Sequence, residues 1–184
     1  ERVMKISLVI PVFNEAETVC LFVDSVAKVF EEWPSVEIEF LFVNDGSTDE
    51  TLCVLLTRQN QDPRIKIVDL TRNFGKEAAL SAGLTVAEGD VVVPIDVDLQ
   101  DPPEIILAMI EKWRQGYEVV LGRRINRKSD SLAKRVSANW FYRIHNKMAN
   151  PKLPENVGDF RLMDRSVVQA LRQLPESRRF MKGL

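Results

Sequence analysis

Short apolar runs alternate with stretches whose apolar residues recur every three or four positions. Ile6 to Val12 is the first run, closed by Pro11, Asn14 and Glu15, and it predicts a strand buried on both faces. Val19, Phe22, Val23, Val26, Ala27 and Phe30 then predict an amphipathic helix ending near Pro34. Ile38 to Val43 predicts a second strand running into Asn44-Asp45-Gly46. Ser47-x-x-Glu50 has the form of a capping box for a helix packing Leu52, Leu55 and Leu56. A third strand over Ile65 to Leu70 leads into Thr71-Arg72-Asn73-Phe74-Gly75-Lys76. Ala78, Ala79, Ala82, Gly83 and Val86 follow as a helix face of small residues, suited to close packing on a sheet and ended by Gly89. Val91 begins a fourth strand, and Pro94, which cannot donate to a ladder, predicts a bulge or an early finish. Ile105, Ile106, Met109, Ile110 and Trp113 predict the next helix, terminated by Gly116, and Val119 to Leu121 a fifth strand. Such alternation predicts a parallel α/β sheet with right-handed crossovers.

The pattern changes after the fifth strand. From Arg123 to Lys147 there are eight basic residues and one acid, Asp130, leaving 17 basic against 26 acidic residues elsewhere. Leu132, Val136, Trp140, Phe141, Ile144 and Met148 recur at helical spacing across residues 124–150. A basic amphipathic helix with Trp and Phe suits a membrane surface of anionic lipids, and equally a helix packed on the domain or on a second copy in a homo-oligomer. His145 within it reads as exposed or capping rather than catalytic. After a Pro-bounded loop comes Asn156-Val157-Gly158-Asp159-Phe160-Arg161-Leu162-Met163, where Asp159 and Arg161 fit either a structural ion pair or the positioning of an acceptor. Ser166 to Leu174 predicts a closing helix.

Length and composition narrow the class. The 184 residues are expected to form one domain with a substantial core, and 45% hydrophobic with 28% charged residues is an ordinary globular balance. A net charge of −2 gives no global field for nucleic acid. Cys20 and Cys53 lie within helical patterns and read as reduced core residues. No apolar run approaches the ~18 residues of a membrane span. The chain starts at Glu1 and stops at Leu184 in mid-pattern, so a longer parent protein is expected.

In open α/β sheets, ligands bind outside the carboxyl ends of the strands. Four predicted strand ends carry polar residues: Asn14-Glu15, Asn44-Asp45, Arg72-Asn73 and Asp96-Val97-Asp98. If the fourth strand persists, Asp96 and Asp98 share a face. Two carboxylates so close resist ionising together unless a cation lies between them, and Mg²⁺ or Mn²⁺ accepts such oxygens while leaving positions for phosphates. The alternative is a polar turn in which Asp101 caps a helix with Pro102 at its first position. With no Gly-x-Gly-x-x-Gly or Walker loop, phosphate would be held by metal and cations.

Pro11-Val12-Phe13-Asn14-Glu15, Val43-Asn44-Asp45-Gly46-Ser47, Asn73-Phe74-Gly75-Lys76, Asp96-Val97-Asp98-Leu99-Gln100-Asp101-Pro102 and Gly158-Asp159-Phe160-Arg161 together resemble glycosyltransferase family 2. More narrowly they resemble its polyprenyl-phosphate glycosyltransferases, the group of dolichol-phosphate mannose synthase and bactoprenol glucosyltransferase. The resemblance covers essentially the whole chain. It implies a GT-A, Rossmann-like fold with a mostly parallel sheet, and inverting, metal-dependent transfer from a nucleotide-sugar (UDP-glucose favoured) to a polyprenyl phosphate. It also implies that Pro11, Phe13, Glu15, Asp45, Lys76, Asp96 and Val97 hold the donor, and that Asp98 and Gln100 ligate Mg²⁺ or Mn²⁺. Arg123, Lys134 and Arg135 would meet the acceptor phosphate, with Asp159 and Arg161 catalytic. The expected setting is the cytoplasmic face of the bacterial inner membrane, with membrane helices following the domain in longer relatives. Two other readings remain at this point: a sugar-phosphate nucleotidyltransferase, whose Gly-rich loop after the first strand is poorly matched here, and a non-catalytic nucleotide-sugar-binding module.

Overall fold

The computed structural model describes residues 3–123 and 157–173. Its strands are β1 (Met4–Val12), β2 (Val36–Asn44), β3 (Ile65–Asp69), β4 (Val91–Pro94), β5 (Val119–Arg123) and β6 (Val157–Asp164). The helices are α1 (Val19–Phe30), α2 (Thr51–Gln61), α3 (Lys76–Val86), α4 (Glu104–Arg114) and α5 (Arg165–Gln173). The strands form one sheet in the order β3-β2-β1-β4-β6-β5. β1 pairs in parallel with β2 and β4, and β2 with β3, as the strand–helix alternation predicts.

β6 departs from that expectation. It lies between β4 and β5 and runs antiparallel to both, so the sheet is mixed on this side. The apolar pattern identifies an extended run here but not its direction, which is set by pairing with strands made much earlier in the chain.

Alternation along the strands divides the core. Ile6, Leu8, Ile10, Phe40 and Phe42 point to one face, beneath Phe22 and Val26 of α1, Leu55 of α2 and Ile106 and Ile110 of α4. Val9, Leu41, Val43 and Val92 point to the other, beneath Ala79, Leu80 and Leu84 of α3 and Val168 of α5. The small face of α3 allows a close approach, since a Cβ on Gly83 would fall on Val9 and Val43.

Several local expectations need correction. Ser47 does not complete a capping box: its Oγ accepts the Asn14 amide (3.0 Å), and α2 begins at Thr51 with no side-chain cap. α2 buries Thr51 and Leu55, while Leu56 is 48% exposed and Cys53 is exposed; Cys20 is only half-buried. The apolar residues of α2 are spread around its circumference, so composition alone misidentified its buried side. α4 starts at Glu104 with Pro103 as N-cap, later than Asp101 capping with Pro102 first would require. Tight Ile105 N–H to Pro102 O (3.1 Å) and Ile106 N–H to Pro103 O (3.0 Å) bonds occupy that entry. The basic amphipathic stretch and His145 lie outside the described residues.

Candidate active site

The carboxyl ends of β1 and β2 are level, with Val12 opposite Asn44, and Asn44 is opposite Asp69 of β3. β4 stops at Pro94, opposite Val9, and one further bond from the Ile95 amide to Val9 O (3.0 Å) ends the pairing. Pro94 therefore ends the strand early, and Asp96 and Asp98 stand on a turn, not on the pleated face of a continuing strand. Both nonetheless line one cleft.

The loops at this edge are tied to one another. Asn14 sits at φ 56°, a region disfavoured for side-chain-bearing residues, and its Oδ1 accepts the amides of Thr48 (2.8 Å) and Asp49 (3.3 Å). The Glu15 amide donates to Thr51 Oγ1 (2.8 Å), fixing the loop after β1 against the start of α2. Gly46, at φ 67°, touches the next loop so closely that a Cβ would fall on the Arg72–Asn73 backbone.

Asp45, 4% exposed, holds that next loop: its Oδ1 accepts the Phe74 amide (2.7 Å) and its Oδ2 the Gly75 amide (2.9 Å). A carboxylate has about four acceptor positions, so these two bonds leave capacity for a ligand donor. The Arg72 guanidinium lies 4.4 Å from the centre of the Phe74 ring, a cation–π contact on the same loop. Lys76, the first residue of α3, reaches Asp96 at 2.7 Å (Oδ1) and 2.8 Å (Oδ2). Asp98 Oδ1 accepts the Gln100 amide (3.1 Å) across Leu99, which sits at φ 57° with its side chain packed on the core.

These loops enclose a cleft of ≈ 340 Å³. Pro11, Phe13, Glu15, Asp45, Lys76, Asp96, Val97 and Asp98 line it together, joined by Val12, Asn73 and Gly75. The last three were not singled out as site residues, although the Asn73-Phe74-Gly75-Lys76 motif after the third strand was a signal for two of them. Gln100 borders Asp98 but is not in the lining. Arg123 ends β5 and is paired with Val157 at the start of β6, so Asp159 begins at the same sheet edge. Arg161, two residues on, is 5% exposed and outside the cleft lining. Lys134 and Arg135 lie outside the described residues.

Among the described residues, no three His, Cys, Asp or Glu side chains form a ready metal cage. The donor set instead fits a hard cation shared with a ligand. Mg²⁺-like ions are commonly held by one or two carboxylates plus substrate phosphates and water, and Asp98 presents such a carboxylate to an open cleft. Asp96 has both oxygens against Lys76.

Residues 7–172 match the model of Glycosyl transferase family 2. The chain belongs to glycosyltransferase family 2. It is 52% identical over 181 residues to the prophage bactoprenol glucosyl transferase homolog of Escherichia coli K12, a match covering 98% of this chain and 59% of that relative. The chain therefore spans well under two thirds of that curated relative. Among solved structures, S. aureus TarS 1–349 in complex with UDP is similar with TM-score 0.55 and 26% identity, over 70% of this chain and 38% of that one. The Pyrobaculum calidifontis mannosyltransferase PcManGT, solved with GDP-Man and Mn²⁺, shares the fold with TM-score 0.60 and 22% identity, over 92% of this chain and 47% of that one. The family's GT-A fold is the α/β, mostly parallel six-stranded arrangement described above.

Proposed function

We propose that this chain is the donor-binding and catalytic part of a glycosyltransferase that moves a sugar, glucose from UDP-glucose, to a polyprenyl phosphate at the cytoplasmic face of a bacterial membrane. One observation carries the reading: the loops after β1 and β2, the start of α3 and the turn after β4 meet in one cleft, bringing together the acids Glu15, Asp45, Asp96 and Asp98 with Lys76. Similarity to the bactoprenol glucosyl transferase homolog supports the choice of sugar and acceptor. Family membership weighs against the nucleotidyltransferase alternative.

In this reading Pro11, Phe13, Glu15 and Asp45 hold the nucleoside, with Asp96 and Val97 beside its ribose. Lys76 faces the diphosphate. Asp98, with Gln100 beside it, holds Mg²⁺ or Mn²⁺, which when bound stabilises the negative charge that grows on the departing nucleoside diphosphate. Arg123, Lys134 and Arg135 receive the acceptor phosphate, and the basic stretch 124–150 faces anionic lipid. Attack by an acceptor oxygen on the side opposite the diphosphate inverts the anomeric carbon in one displacement. A phosphate monoester has its second pKa near 6, so the acceptor is mostly deprotonated at neutral pH and needs no strong base. Asp159 accordingly orients Arg161 or the acceptor, or takes a residual proton.

Calorimetry of this chain with UDP-glucose, GDP-mannose and UDP-N-acetyl sugars, with Mn²⁺ and with chelator, tests the donor half. UDP-glucose binding that depends on the divalent ion is expected. Formation of lipid-linked glucose by a protein carrying this chain at the full length of its relatives, in vesicles with polyprenyl phosphate, tests the other half. Indifference to every activated sugar sinks the proposal, and binding without turnover by that full-length protein would leave a sensor.

A further inference from the structure

We infer that the Lys76–Asp96 ion pair is an exchangeable latch that makes the cleft select for nucleotides carrying a diphosphate; the inference rests on the nucleotide-sugar reading above. The lysine ammonium faces both carboxylate oxygens, at 2.7 and 2.8 Å, and both residues line the cleft. Their side chains are 42% and 38% exposed, and an ion pair so open is weakly held, so its members change partners at little cost. Asp45, the other carboxylate tied to this loop, is different: its oxygens are held by the amides of Phe74 and Gly75, which no side-chain rotation can withdraw.

The two kinds of ligand therefore meet different sites. A nucleoside without phosphate finds Asp96 already engaged, and its hydroxyls must compete with an ammonium for the same oxygens. A nucleoside diphosphate brings several negative charges, which draw the ammonium away on its flexible four-carbon stem. Asp96 is then released to accept hydrogen bonds from the sugar hydroxyls. The diphosphate strengthens binding twice, once through Lys76 and once by unmasking Asp96. Because linkage is reciprocal, occupation of Asp96 by hydroxyls favours transfer of Lys76 to phosphate by the same factor.

The test titrates UDP and uridine into this chain and into Lys76→Met, by calorimetry at fixed Mn²⁺. In the variant, UDP affinity is expected to fall about tenfold while uridine affinity rises about threefold, readable as opposite shifts in Kd. A lysine that merely supports the loop would move both ligands in the same direction. Lys76→Arg, which keeps the cation, is expected to retain the wild-type preference for UDP and serves as the control for folding. Uridine affinity that falls or stays constant in Lys76→Met, with UDP binding intact in the wild type, overturns the latch alone. Failure of the wild-type chain to bind UDP removes the nucleotide reading for this base, and the latch with it.

Discussion

The sheet carries ionised clusters near both of its edges, and they are built in opposite ways. Near the amino ends of β1 and β2, Glu39 has a side chain only 3% exposed, and its Oε2 lies 2.8 Å from Nζ of both Lys5 and Lys66. Ser7 Oγ donates to Oε1 (2.8 Å) and itself accepts the Gly89 amide (2.8 Å). Burial pushes the Glu39 carboxyl up, but the hydrogen bonds from Lys5, Lys66 and Ser7 outweigh it and hold it at about 2 against an ordinary 4.5. At the carboxyl ends, Asp96 is 38% exposed and shares an open pair with Lys76, and Asp98 faces a cleft. The first cluster is closed by the protein itself; the second leaves charge where a ligand can reach it. A buried, fully partnered acid belongs to the fold, whereas acids gathered around an open cleft on constrained backbone mark a place for something else.

The sharpest way to test that division is to remove one acid from the open edge. Asp98→Ala is expected to abolish divalent-dependent donor binding with an unchanged melting temperature, read by calorimetry and thermal denaturation. Next in size is Gly46→Ala, which forces a side chain into φ 67° and onto the Arg72–Asn73 backbone. It should cost about 3 kcal/mol of stability in denaturant titration, showing that the open edge still rests on rigid loops.

Glu39→Gln belongs to the closed edge and should cost about 2 kcal/mol at neutral pH with donor affinity retained. Because the folded pKa of Glu39 is depressed, its contribution is complete above pH 4.5 and is lost as pH falls through 4.5 towards about 2. The glutamine variant should therefore show a flatter stability profile across that window. Smallest is Asp159→Asn in a protein carrying this chain at the full length of its relatives: turnover should fall about tenfold with donor affinity kept, less than the ~10²–10⁴ associated with a true general base. Full activity of that variant would remove any catalytic role for Asp159.

Much of the closed scaffold was legible in the sequence because burial there follows local periodicity. Val19 through Phe30 announce α1, and Pro94 announces the short fourth strand, since a missing donor acts wherever it stands. The cleft residues were legible through their motifs and through the rule that α/β ligands lie at carboxyl strand ends. What escaped depended on distant partners. Ser47 looks like a cap until Asn14, from another loop, takes its hydroxyl. Asp96 and Asp98 look like strand neighbours until the chain leaves the sheet early. The Lys5–Glu39–Lys66 cluster joins three strands, and no spacing within one strand points to it. The direction of β6 is likewise a property of the assembled sheet.

The threading of β6 between β4 and β5 has a consequence for how the molecule is made. As the nascent chain leaves the ribosome, β1 to β4 can zip together in turn, but β5 emerges with no neighbour and waits through residues 124–156 for its partner. Until then the growing sheet ends in an unguarded rim at β4, the kind of surface that recruits stray strands. Fragments cut before residue 157 should accordingly clump, because the strand that closes this side of the sheet is made after both of its neighbours.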